Sequence, residues 1–374
     1  MKTILLKADE NNITAADMKA AGDIIKNGGL VAFPTETVYG LGGDAMNPEA
    51  SRKIYAAKGR PSDNPLIVHI YRMEDLYRIA DEVGDGVLKL AEKYWPGPLT
   101  MIFKKKKIVP DQTTGGLDTV AVRMPDNRIA LSFIEAAGGF IAAPSANLSG
   151  RPSTTTAEHV IEDMDGRIDM IIDGGSSVIG LESTIVDMTG SRPMILRPGY
   201  INGEMIKDVL GDVSYDPAVF GEETKGLHPK APGMKYRHYA PKGELTIVKG
   251  ERDAVISYIR QGAAEAVKDG KKVGVISASP ETKRGSGTEK GTQSGAQDFP
   301  VSPKDNRYGK ELFIMNIGDL EDEYSIARHL YDVLRECDKQ DIDIIYSEDF
   351  STPRIGQAIM NRLIKAAGHR VVEV

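Results

Sequence analysis

Cysteine is almost absent: Cys337 stands alone among 374 residues. No disulfide can form within the chain and no cysteine pair can hold zinc, which excludes a disulfide scaffold and a zinc ribbon. A reducing compartment fits this, and a cytoplasmic location is the expectation. The chain also has no G-x-x-x-x-G-K-S/T loop, no G-x-S-x-G elbow and no H-E-x-x-H helix. P-loop, acyl-enzyme and zinc-hydrolase chemistry are therefore unsupported, and no protein-held metal is expected. Apolar runs are short throughout. None approaches the roughly 20 residues that span a bilayer, and MKTILLKADE (1–10) breaks off into charges too soon for a secretory signal. Positive charge is not in surplus either. Lys and Arg number 47 against 54 Asp and Glu, a net charge of −7. That disfavours a broad nucleic-acid face and leaves room only for a weak, local RNA contact.

What is present reads as a soluble α/β chain long enough for two domains. Over roughly the first 210 residues, helix and strand signals alternate. Thr14 with Asp17 starts a helix that ends at Gly28-Gly29, and Asn47-Pro48 starts a second that runs to about Lys58. LVAF (30–33), LIVHI (66–70), LTMIF (99–103), TVAVR (119–123), FIAA (140–143), MIID (170–173) and STIVDM (183–188) read as strands. The expected class is a twisted mixed sheet with flanking helices. Periodicity fails from about Asp212 to Gly243, where four prolines fall. A smaller C-terminal α/β unit follows, with strands ELTIV (244–248), KVGVIS (272–277), LFIMNI (312–317) and DIDIIYS (341–347) and a final helix near Arg354 to Ala367. The patternless stretch 280–309 reads as a mobile surface loop.

Two loops dense in anion-binding groups stand out: KGRPSDNPL (Lys58 to Leu66) and APSANLSGRPS (Ala143 to Ser153). Lys58, Arg60, Ser62, Asn64, Ser145, Asn147, Ser149 and Arg151 are of the types that hold phosphate oxygens, and proline stiffens both loops. Lys58 and Arg60 also sit where cations favour a helix C-terminus; the two loops together favour phosphate. Gly40-Leu-Gly42-Gly43 reads as a tight turn that lets PTETVYG (34–40) approach a ligand, with Thr35, Thr37 and Tyr39 beside Glu36. It is too far from its strand for a dinucleotide fingerprint. Arg123, ending a buried strand, meets a carboxylate, either a ligand's or a structural partner's, and Arg197 poses the same question. His69 reads as a hydrogen-bonded core histidine, and Lys104 to Lys107 as a solvated strand end.

Taken together, PTETVYGLG, KGRPSDNPL, PGPLT (96–100), VAVRMP, APSANLSG, ESTIVD and LRPG, in that order, resemble the threonylcarbamoyl-AMP synthase family. APGMKYRHYAP (231–241) is similar to the linker motif of its long form. The resemblance implies a YrdC-like catalytic domain (1–211), a linker and active-site lid (212–243) and a Rossmann-like C-terminal domain (244–374), for which we expect a structural or docking role that positions the lid. It implies a nucleotidyltransferase that condenses L-threonine, bicarbonate or carbon dioxide, and ATP with its Mg2+ into threonylcarbamoyl-AMP and pyrophosphate. The product passes to a separate tRNA threonylcarbamoyl transferase complex that modifies tRNA beside the anticodon. By the same resemblance Lys58, Arg60, Asn64, Thr119, Ser145, Asn147, Ser153, Arg197 and Tyr236 bind ATP, with Lys58 and Arg60 offsetting the pyrophosphate charge. Thr35, His69, Arg123, Ala143 through its backbone, and Ser183 bind threonine. Two rivals are a module that binds double-stranded RNA or tRNA, and a carbamoyl transferase using carbamoyl phosphate. The second usually carries acylphosphatase and zinc-finger segments that this chain lacks.

Overall fold

The computed structural model describes residues 2–220, 238–279 and 311–374. Tyr236, most of the APGMKYRHYAP motif and the 280–309 stretch lie outside these residues. Two compact units divide between Tyr236 and Arg237.

The first unit is built on β1 (Ile4–Lys7), β2 (Val31–Phe33), β3 (Gly40–Asp44), β4 (Ile67–His69), β5 (Leu99–Lys104), β6 (Thr119–Arg123), β7 (Ile141–Ala143), β8 (Met170–Asp173), β9 (Thr184–Asp187), β10 (Met194–Arg197) and β11 (Ser214–Tyr215). They form one mixed sheet in the order β1-β8-β2-β3-β7-β4-β6-β5-β9-β10-β11. The helices are α1 (Ala15–Lys26), α2 (Pro48–Lys58), α3 (Met73–Ile79), α4 (Asp85–Tyr94), α5 (Asp111–Thr114), α6 (Arg128–Ala136), α7 (Ala157–Met164) and α8 (Gly203–Leu210). Sequence signals set their ends. Thr14 accepts from Asp17 N to start α1, and Asn47 caps α2 ahead of Pro48.

One face of the central strands packs into the main core, with Val68, Met101, Phe103, Val120, Val122 and Val186 against residues of α2, α3, α4, α7 and α8. On the opposite face a small cluster consists only of strand residues: Ile67, Ile102, Ala121, Ile185 and Leu196. That face carries the site described below.

The glycine run Gly40 to Gly43 is a strand, β3, and not the tight turn its composition suggests. Glycine gives no side-chain periodicity, so the strand leaves no pattern. Close packing explains the residues. A Cβ on Gly42 would lie 2.8 Å from Ile141 Cγ2 and 3.1 Å from Phe33 Cε1. Gly42→Ala is expected to destabilise the first unit by about 1–3 kcal/mol through overpacking; urea denaturation checks it. The lysine run also differs from expectation. The Lys105 side chain is mostly buried, and it reaches Asp111 at 2.6 Å and Thr114 at 2.9 Å.

The second unit contains β12 (Glu244–Lys249), α9 (Arg252–Lys268), β13 (Val273–Ser279), β14 (Leu312–Asp319), α10 (Glu323–Lys339), β15 (Ile344–Glu348), α11 (Gly356–Ala366) and β16 (Val371–Glu373). Its strands are all parallel, in the order β14-β13-β15-β12-β16. Near-continuous apolar strands such as VGVIS are what burial on both faces selects.

Candidate active site

The two anion-type loops meet. Lys58, the last residue of α2, precedes Gly59, whose left-handed φ of 62° turns the chain away. Lys58 is 3% exposed, and its ammonium donates to the carbonyls of Ser145, at 2.5 Å, and of Asn147. Ser149 N donates back to Lys58 O at 2.9 Å. Arg60 shapes its own loop: Nη2 donates to Asn64 Oδ1 at 2.6 Å and to Pro65 O at 3.1 Å. Across the gap, Ser145 Oγ donates to Asn147 Oδ1, and Asn147 Nδ2 donates to the carbonyls of Leu148 and Arg151. Buried Asp163 pairs with Arg151 and accepts from Leu148 N at 2.9 Å. These bonds fix the loops before any ligand arrives, so little ordering entropy is left to lose on binding.

Sheet register places the remaining candidates. Ile67 pairs with Ala143 and with Ala121, while His69 pairs with Ile141 and with Arg123. Thr100 lies opposite Arg123 and beside Ile185, and Ile185 lies opposite Arg197. One transverse row therefore runs Ile141, His69, Arg123, Thr100, Ile185, Arg197. Because β4 and β7 are antiparallel, the chain entering β4 from Asn64 and the chain leaving β7 toward Ser145 meet at one end of the sheet. Thr119, four residues before Arg123 on the same strand face, lies at that same end, about 13 Å from the row. From the His69–Arg123 row to the strand ends at Ile67 and Ala143 is about 7 Å, and the two loops begin beyond them.

Arg197 is held in the row beside Ser183. Its Nε donates to Ser183 O at 3.1 Å and its Nη2 to Ser183 Oγ at 3.2 Å. Ser183 Oγ also lies 2.7 Å from Thr100 Oγ1. Ser153 is buried and donates to Glu182 at 2.5 Å. Register thus puts Arg197 beside Ser183 and Ile185, in the same row as Arg123 but three strands, about 14 Å, away from it. Thr100, Glu182 and Asp163 were not singled out from sequence; Thr100 could have been, since it alternates with apolar neighbours in LTMIF and shares the site face.

The PTETVYG loop closes the site. Ile179 N donates to Glu36 O at 2.8 Å, Gly180 N to Thr37 O at 3.1 Å, Tyr39 N to Thr154 O at 2.8 Å and Ala146 N to Tyr39 O at 2.8 Å. Ser177 Oγ donates to Thr35 O at 3.0 Å. Thr35 uses its own hydroxyl inside the turn, donating to Val38 O at 2.6 Å. Tyr39 is buried with its hydroxyl donating to Gly175 O at 2.7 Å, and burial raises its pKa. Glu36 comes to Arg123, with Oε2 2.7 Å from Nη2.

His69 is a buried, neutral imidazole. Nδ1 lies 3.2 Å from Ile67 O, and the ring meets Phe33 edge-on at 5.9 Å. Burial first, and then the Arg123 charge, pushes its pKa down to about 3. An imidazole in the unfolded chain titrates near 6.5. Unfolding therefore takes up a proton below that value. The stability that neutral His69 contributes is complete above about pH 6.5 and is lost as pH falls toward about 3, at up to ~1.4 kcal/mol per unit. His69→Gln is expected to flatten that limb, which denaturation between about pH 7 and pH 4 measures.

No cluster of three or more His, Cys, Asp or Glu able to hold a metal ion occurs among the described residues. None of the described helices is long and apolar enough to cross a membrane.

Comparison with known proteins places this arrangement. Residues 23–199 match the family described as Telomere recombination, and residues 201–368 match the Threonylcarbamoyl-AMP synthase C-terminal domain. Threonylcarbamoyl-AMP synthase of Pyrococcus abyssi is 45% identical over 372 residues, covering 100% of both chains. That of Bacillus subtilis is 41% identical, covering 97% of this chain and 96% of its own. The crystal structure of P. abyssi Sua5 complexed with L-threonine superposes with a TM-score of 0.86 at 44% identity, covering 100% of each chain. The chain belongs to the threonylcarbamoyl-AMP synthase family.

Proposed function

We propose that the chain is an L-threonylcarbamoyl-AMP synthase, a nucleotidyltransferase that consumes L-threonine, bicarbonate or carbon dioxide, and ATP and releases pyrophosphate. The observation that carries this reading is the pairing of two zones on one sheet face: the stapled loops of Lys58 and Ser145 beyond one end of β4 and β7, and the Arg123 row about 7 Å in from those strand ends. That spacing suits an α-phosphate beside a small amino acid.

On this reading threonine's ammonium loses a proton to solvent, and the free amine attacks carbon dioxide to give a carbamate and a second proton. A carbamate oxygen then attacks the α-phosphorus, and the bond to pyrophosphate breaks. No side-chain nucleophile is needed. What the protein supplies is alignment and charge complementarity. Lys58 and Arg60, with the Mg2+ that accompanies ATP, offset the charge growing on pyrophosphate. Asn64, Thr119, Ser145, Asn147 and Ser153 position the nucleotide. Arg123 takes the threonine carboxylate, with Thr35, His69, Ala143 and Ser183 around the rest of the amino acid. Neutral His69 adds no second cation there and can accept or donate one hydrogen bond. Arg197, beside Ser183 at the far end of the row, would bind the nucleotide. Residues 1–211 would form the catalytic domain and 244–374 a supporting one, in a cytoplasmic protein whose product feeds tRNA modification by a transferase complex.

Pyrophosphate release tests this. It is expected to require threonine and bicarbonate together. Release with ATP alone at the same rate would contradict the reading. RNA binding that weakens steeply with salt, without any turnover, would favour the RNA-module alternative.

A further inference from the structure

Glu36 is the group left unexplained by the site. It is 8% exposed, and Arg123 opposite it is 4% exposed. Oε2 lies 2.7 Å from Arg123 Nη2, yet the approach is too poorly aligned for a hydrogen bond. Both Glu36 oxygens and Arg123 Nη2 are buried without a hydrogen-bond partner. The Arg123 guanidinium donates from Nε to Gly97 O, at a long 3.3 Å. A buried ion pair kept for stability has its remaining donors and acceptors satisfied. This one does not. Its backbone, by contrast, is firmly placed, because Ile179 N donates to Glu36 O at 2.8 Å.

The surrounding charges agree. Asp126, three residues beyond Arg123, has its carboxyl held above the ordinary range by burial and by the Glu36 charge. Asp126 thus adds negative charge on the Glu36 side, and His69 is neutral. An incoming carboxylate that takes Arg123 leaves Glu36 with a negative charge and no cation. A zwitterion solves this by itself, since its ammonium arrives together with its carboxylate.

We infer that Glu36 receives the ammonium end of the amino-acid substrate while Arg123 receives its carboxylate, so that the loose Glu36–Arg123 contact stands in for the substrate's own two charges. The inference rests on the proposed threonine-binding role of Arg123. It adds a positioning and specificity residue: the pair holds an α-amino acid by both charges, and it orients the nitrogen that will form the carbamate.

The test compares ligands that carry one charge or both. L-threonine, β-hydroxybutyrate (no amine) and threoninol (no carboxylate) are titrated against the wild type, Glu36→Gln and Arg123→Lys by ligand-detected NMR. Glu36→Gln is expected to lose threonine affinity by about 10- to 100-fold and threoninol affinity comparably, while β-hydroxybutyrate binding is unchanged or tighter. Equal losses for threonine and β-hydroxybutyrate, or no loss for either, would overturn the inference. The ratio of the two affinities does not depend on the folded fraction, so a partly unfolded variant still decides the question. Failure of wild-type protein to bind threonine at all would instead remove the underlying assignment.

Discussion

Arg123→Ala raises the L-threonine concentration needed for half-maximal turnover by about 100-fold or more, while the ATP requirement moves by no more than a few-fold. The size follows from burial. Arg123 is 4% exposed, its guanidinium lies by Glu36 and Gly97, and His69 is its partner on the neighbouring strand. Removing one partner of a buried charge pair costs about 3–5 kcal/mol, because the other is left uncompensated. Here the loss would be felt twice, by the substrate carboxylate and by Glu36. The selectivity follows from place. Arg123 belongs to the transverse row, and the loops of Lys58 and Ser145 lie at the other end of β4. Kinetics with each substrate varied in turn separate the two requirements. Equal changes in both would move this arginine out of the amino-acid zone.

The second large effect is expected at Lys58. Lys58→Ala lowers kcat/KM for ATP by about 100- to 1,000-fold, the range seen when one preorganised donor is removed from a developing negative charge. The side chain has two jobs. Its ammonium staples the KGRPSDNPL loop to the carbonyls of Ser145 and Asn147, and on our reading it also faces the phosphates. Losing the staple leaves two carbonyls short of a donor, at about 1–3 kcal/mol each where they are desolvated. Lys58→Arg is not expected to rescue, since a planar fork cannot replace a compact ammonium directed at two converging carbonyls. Nucleotide binding by calorimetry and activity at saturating threonine check both variants.

How far the molecule was legible varies by element, for physical reasons. Strands β4, β5 and β6 are apolar runs, and α2 announces itself by Asn47-Pro48; burial and capping leave local marks. β3 left none, because its glycines are chosen by the side chains of Phe33, Ile141 and Ile54 pressing on them from elsewhere in the chain. The loops of Lys58 and Ser145 were recognisable as anion-type segments, and their meeting could be suspected from their shared chemistry. The Arg123–Glu36 contact could not. Whether Arg123 met a ligand or a structural partner depended on strand register, which a sequence does not state for segments far apart. The same holds for Arg197, whose partner Ser183 lies just before β9 and is itself 2.7 Å from Thr100 of β5. Tyr236 and the linker motif lie outside the described residues.

The measurement that bears most directly on the account is a crystal structure with a non-hydrolysable ATP analogue and L-threonine bound together. The account predicts phosphate oxygens within hydrogen-bond reach of the Lys58–Asn64 and Ser145–Asn147 loops, and the threonine carboxylate on the Arg123 guanidinium. A nucleotide bound away from those loops, or a threonine seated with Arg123 still closed on Glu36, would contradict it.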